Sequence, residues 1–124
     1  MTRLAVLTVR AATPSGNKTL RQHWAARSRA RALWQTLAGS AVAEAHWQSG
    51  AIRKAERHRR LSFLRVGNRT LDADNATAGI KMLLDALKTL GVVRDDSPAW
   101  CSIDVRQRRP VAGEKPHTIV EVWE

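Results

Sequence analysis

The chain has 124 residues and carries 21 Lys and Arg against 11 Asp and Glu, a formal net charge of +10 and a pI near 11.4. That length suits one domain with a core that needs no staples, the 44% hydrophobic and 26% charged content is that of an ordinary globular protein, and no apolar run approaches the ~20 residues that span a bilayer. The single cysteine excludes an intrachain disulfide, which fits a reducing cytosol, and Cys101 is expected to be a small buried hydrophobe.

RLAVLTVR, at 3–10, is short and β-rich and predicts a strand. ATPSGN, at 12–17, is turn chemistry. From Thr19 to Trp47 the Ala, Leu, Arg and Gln content predicts one long helix, with a kink at Gly39 and Ser40. Leu33, Leu37 and Ala41 form its apolar stripe, with Trp34 beside them, while Arg27 and Arg31 share another face with His23. Residues 50–60 read as a loop, and LSFLRV, at 61–66, as a second strand. Asn75 to Leu90 is the clearest helix: Ile80, Leu83, Leu84, Leu87 and Leu90 keep the 3.6-residue period, Asp74 or Asn75 suits the N-cap, and Gly91 suits the position just past the end. CSIDVRQR (101–108) and TIVEVWE (118–124) alternate as strands and are joined by a segment with two prolines and a glycine. The order β-α-β-α-β-β predicts an α+β domain over 1–124, a two-layer α/β sandwich with helices on one mixed sheet.

The charge is unevenly placed. Residues 1–71 hold 14 Lys and Arg against two acids, whereas residues 72–100 hold three against five. A basic half of this size, richer in Arg than Lys, points to a polyanion, most simply nucleic acid, because the planar guanidinium binds two phosphate oxygens at once. Arg27, Arg31, Arg57, Arg59 and Arg60, within the arginines of 21–31 and 53–60, are the candidates for that contact. Arg69 stands immediately before the acidic window, where it reads equally as a phosphate clamp or a strand-end surface residue.

Within the window, Asp72 and Asp74 are two apart just before a helix, so an extended backbone would turn both carboxylates to one side. Helix capping is the plainer account of that pair taken alone. A second pair, Asp95 and Asp96, follows the helix, and Lys81 lies two turns after Asp74. Clustered carboxylates repel and call for a cation, and Mg²⁺ is the hard ion that takes carboxylate, water and phosphate oxygens. Basic residues to hold DNA and an acidic metal pocket to cut it form the charge plan of a metal-dependent nuclease. The histidines show no zinc spacing, and the five tryptophans are expected chiefly in packing, an exposed one leaving room for a wedge role.

DADN at 72–75, KMLLDAL at 81–87 and GVVRDDS at 91–97 together resemble the RusA family of Holliday junction resolvases, small endonucleases of bacteria and their phages. The resemblance is strongest over 69–97 and extends more weakly to the rest of the chain. It implies a cytoplasmic homodimer acting on four-way DNA junctions in recombination and repair. It also implies Mg²⁺, with Mn²⁺ able to substitute, on Asp72, Asp74 and Asp96, Lys81 as the catalytic lysine, and Asn75 and Asp95 as supporting neighbours. Two departures stand out: the lysine follows the asparagine by six residues instead of three, a shift of roughly 4.5 Å along a helix axis, and ATPSGN replaces a Pro-Pro-Ser-Asn type of loop. The rival reading is a non-catalytic basic DNA-binding protein, a phage regulator or a degenerate junction binder.

Overall fold

The computed structural model describes residues 1–48, 50 and 54–124. Among the described residues, four strands, β1 (Arg3–Val9), β2 (Arg59–Val66), β3 (Cys101–Arg108) and β4 (His117–Trp123), and four helices, α1 (Gly16–Arg21), α2 (Trp24–Glu44), α3 (Ala73–Ala78) and α4 (Lys81–Thr89), follow the chain order β1-α1-α2-β2-α3-α4-β3-β4. The strands form one mixed sheet in the order β1-β4-β2-β3. β4 is antiparallel to both β1 and β2, while β3 runs parallel to β2 because α3 and α4 carry the chain back across the sheet between them. The α+β class and mixed sheet expected from the sequence are therefore present. Residues 51–53, part of the expected loop, and with them Arg53, lie outside the described residues.

Alternation builds the buried face of the sheet: Ala5, Leu7 and Val9 on β1, Val120 and Val122 on β4, and Leu61 and Phe63 on β2 all point into one core. α2 packs on β1 and on α4, whose Leu83, Leu84 and Leu87 complete the same core. Burial of each Val, Leu and Phe side chain among these contributes about 1.5–3 kcal/mol. α4 ends in a Schellman motif, with Gly91 N–H donating to Lys88 O (3.0 Å) and Val92 N–H to Leu87 O (2.9 Å). Gly91 takes φ +84°, a conformation that side chains disfavour.

Two helices expected to be single are each split in two. The first breaks at Gln22 and His23, where His23 adopts an extended conformation (φ −60°, ψ 151°) and its ring Nδ1 accepts from Ala25 N–H, starting α2 afresh. α2 then runs unbroken through Gly39 and Ser40 and buries Trp34, Ala38, Ala41 and Val42; of the expected stripe Ala41 is buried and Leu37 packs against the core, while Leu33 is exposed. The second breaks at Gly79, where a Cβ would collide with the Pro14 carbonyl oxygen. The ATPSGN turn thus packs directly onto the junction of α3 and α4. β2 begins at Arg59, two residues before the expected start, which draws Arg59 and Arg60 out of the loop and into the sheet. Cys101 is buried, as expected. Among the described residues no helix is long and apolar enough to cross a membrane.

Candidate acidic site and nucleic-acid surface

The α3–α4 crossover carries the acidic window. Asp72, rather than Asp74 or Asn75, is the N-cap of α3: its Oδ1 accepts from Asn75 N–H (2.9 Å) and its Oδ2 from the Asn75 side-chain amide (2.8 Å). The backbone bond from Asn75, then the side-chain bond, holds the Asp72 carboxyl below its ordinary pKa. Asn75 Oδ1 in turn accepts from Asn17 N–H (3.1 Å), which ties α1 to α3 through the same side chain. Asp74 is exposed in the first turn of α3.

Lys81 opens α4, and its Nζ lies 3.6 Å from Asp85 Oδ1 and 3.9 Å from Asp96 Oδ2. Two turns along, Lys88 Nζ meets Asp95 Oδ1 at 3.0 Å. The two members of the Asp95–Asp96 pair therefore diverge, Asp96 toward Lys81 and Asp95 toward Lys88. The hydrogen bond from Lys88, followed by one from Ser97, holds Asp95 down to about 2, and Lys88 is raised by the same bond. Because the folded pKa of Asp95 is depressed from 3.8, the contribution of this pair is fully present above the ordinary carboxylate range and is lost as pH falls toward 2. Carboxyl NMR titration is expected to place the Asp95 midpoint near 2, and Lys88→Met to return it toward 3.8. An unmoved midpoint in that variant would assign the shift to Ser97 and the backbone instead.

Asp72, Asp74 and Asp96 do not converge. Among the described residues no group of three or more His, Cys, Asp or Glu side chains is placed to share a metal ion. Like-charged carboxylates gain nothing by approaching when each can find its own partner, and here Asp72 is taken up by Asn75 and Asp96 by Lys81. The signal for Asp85 and Lys88 was in the sequence, since 81, 85 and 88 follow the i, i+4 and i+7 spacing of one helical face.

The expected DNA-contacting arginines separate into four environments. Arg27 and Arg31, on α2, line a groove of about 470 Å³ together with Lys81 and Asp85, above a floor that includes Ile80 and Met82. Arg57 is exposed beside Lys54 and Glu56, and Arg69 is exposed in the turn after β2, its carbonyl accepting from Arg65 Nη1 (2.7 Å). Arg60 stands on the outer face of the sheet and donates twice to Asp104 Oδ2 (3.1 and 2.8 Å). Burial works to raise the Asp104 pKa, but bonds from Ser62 and Arg60 outweigh it and the net shift is downward. Arg106 and Glu121 extend this lattice of surface ion pairs.

Arg59 does not belong to a nucleic-acid surface. It is 3% exposed, with Nε donating to Glu124 Oε2 (3.0 Å) and Nη1 to Val92 O (3.0 Å). Strand register turns it to the buried face with Leu61 and Phe63. Arg65 is a second buried arginine that the sequence reading passed over: it donates to Thr13 O (2.7 Å), and burial lowers its pKa. Of the tryptophans, Trp34 and Trp47 are buried as expected, whereas Trp24 is 73% exposed.

No protein-family model matches the chain, and neither a curated protein nor a solved structure shows significant similarity to it.

Proposed function

We propose that this chain is a metal-dependent endonuclease that cuts branched DNA, with the four-way junction as its substrate. The observation that carries the reading is the position of Lys81. Its ammonium lies within 4 Å of both Asp85 and Asp96, in the lining of a groove to which Arg27 and Arg31 also contribute, in a chain of net charge +10. A phosphate drawn in by the two arginines would meet a lysine and carboxylates together.

The donor chemistry suits Mg²⁺, since Asp72, Asp74 and Asp96 offer hard carboxylate oxygens, but they form no closed donor set in the single chain. Mg²⁺ is ordinarily held by one or two carboxylates with waters and substrate phosphate, and less often by an all-protein cage. The ion is therefore expected to bind weakly to the protein alone. Bound there, it would polarise the phosphate and lower the pKa of a water. The chain's own residues would do the rest: Arg27 and Arg31 hold the backbone, Lys81 offsets charge on the departing oxygen, and Asn75 keeps Asp72 oriented. A C₂ homodimer would present two such sites to the two strands of a junction. The setting would be the cytoplasm of a bacterium or of a phage-infected cell.

A second reading, a DNA-binding protein without catalysis, is favoured by one observation: Asp72, Asp95 and Asp96 all have partners within the chain, and among the described residues no three acids share a point. Cleavage of a labelled synthetic four-way junction, with and without Mg²⁺, beside a linear duplex, decides between them. Paired nicks in the junction that need the metal and vanish in Asp74→Asn are the expected result. Binding without cutting in either Mg²⁺ or Mn²⁺ would overturn the enzyme reading and leave the binder.

A further inference from the structure

The groove between α2 and the α3–α4 junction has a character that phosphate binding does not explain. Its floor, formed by Ile80, Met82, Leu84 and Ile103, is apolar, and its rim is cationic. A phosphodiester gains nothing from an apolar floor, whereas a nucleobase has apolar faces, a polar edge and a phosphate attached to its sugar. Bases stacked in a duplex cannot enter such a groove, but a base displaced from the stack can.

Trp24 is not part of the groove's lining but opens the helix that supplies Arg27 and Arg31 to it. It precedes Arg27 by one helical turn and Arg31 by two, so the three share a face of α2. An indole 73% exposed on a cationic helix face is a large apolar surface left to water. The His23 ring lies 5.6 Å from it at 41°, which leaves a broad indole face open. An exposed aromatic beside cations is the arrangement by which proteins hold single bases, through stacking that every base can supply. The rim carries Arg27, Arg31 and Lys81 against a single acid, Asp85, so charge complementarity selects a polyanion over an acid-poor protein partner.

The geometry points to a nucleotide-receiving site: the groove takes one unpaired base at a DNA branch point, Trp24 stacks on it or its neighbour, and Arg27 and Arg31 hold the flanking phosphates. This rests on the nucleic-acid reading above and adds to it the feature by which branched DNA is told from plain duplex.

The test is a binding matrix. One duplex carries a single bulged thymidine, a second carries an abasic bulge at the same place, and a third is fully paired. The wild type is expected to bind the thymidine bulge about tenfold more tightly than the abasic one, as stacking on one aromatic commonly provides. Trp24→Ala, at an exposed position that should leave the melting temperature unchanged, is expected to erase that difference without weakening binding to the paired duplex. Trp24→Phe should restore most of it. Arg31→Ala should weaken all three complexes alike. Equal binding of the two bulges by the wild type overturns the proposal. So does a Trp24→Ala variant that retains the discrimination, or one that loses affinity equally for every DNA and turns a dimer into a monomer, which would make Trp24 a subunit contact. If the junction is cut in Mg²⁺ but the two bulges bind alike, this inference alone fails. If no DNA binds at all, the nucleic-acid reading fails with it.

Discussion

Lys81→Met is expected to slow junction cleavage by about 100- to 1,000-fold, the usual cost of removing one group that stabilises transition-state charge, while leaving junction affinity nearly unchanged. Methionine keeps the length and helix propensity of lysine. The lysine side chain is 70% exposed, so its removal opens no cavity. Its two ion pairs are long and solvated, and their loss should shift stability by less than about 0.5 kcal/mol. A rate effect would then be a chemical effect. The same geometry contains the competing outcome. Lys81 sits 3.9 Å from Asp96, a carboxylate that Mg²⁺ would need, so the ammonium can act as a competitor for the metal. If that were its whole role, Lys81→Met would cut faster than wild type at limiting Mg²⁺ and equally fast at saturation. Single-turnover rates across a Mg²⁺ titration separate the two, and the second pattern would remove Lys81 from the chemistry.

What the sequence disclosed depended on how local each determinant was. The α4 stripe of Leu83, Leu84 and Leu87 and the alternation of β4 are local patterns: the stripe is buried as the period requires, although its helix starts at Lys81 and not at Asn75, and β4 formed within one residue of its expected bounds. The helix breaks were less legible. Gly79 is required by the approach of Pro14, 65 positions earlier, and no window around Gly79 contains that information. The restart of α2 turns on His23 acting as a cap through its ring nitrogen, a role more usual for Ser, Thr, Asp or Asn. The run HRR at 58–60 reads as the end of a loop whose arginines could contact DNA, yet once β2 starts at Arg59 the pleat sends Arg59 inward and Arg60 outward.

The acidic window shows the same division. Spacing placed Lys81, Asp85 and Lys88 on one face, and it brought Asp96 within reach of Lys81 only after α4 and the Gly91 turn had reversed the chain. It did not decide whether Asp72 and Asp74 would meet Asp96. The placement of α3 depends on partners distant in sequence: Asn75 accepts from Asn17 N–H, and the Gln107 side chain bonds both the Leu71 N–H (3.0 Å) and the Leu71 carbonyl (2.6 Å).

Arg59→Leu should be the most destabilising of the arginine substitutions, at about 3 kcal/mol or about 10 °C in melting temperature for a domain of this size, with no loss of junction affinity per folded molecule. The argument is one of stranded partners. Leucine fills part of the space, but it leaves the buried Val92 carbonyl without its donor and Glu124, held at 3.0 Å by Arg59 Nε, without its cation. Glu124 retains some access to water, which keeps the cost at the lower end for a broken buried pair. Arg31→Leu should behave in the opposite way: melting nearly unchanged, affinity reduced, and the slope of log affinity against log salt shallower by about one. Thermal melts and salt-dependent binding on the same preparations test both. A full-stability Arg59→Leu with weakened DNA binding would return Arg59 to the nucleic-acid surface and contradict the register of β2. The double variant Arg59→Leu with Glu124→Leu refines the point. If the cost lies in the stranded carboxylate, the second substitution should recover part of the lost stability; if it lies in the Val92 carbonyl, the double variant should melt no higher than the single one.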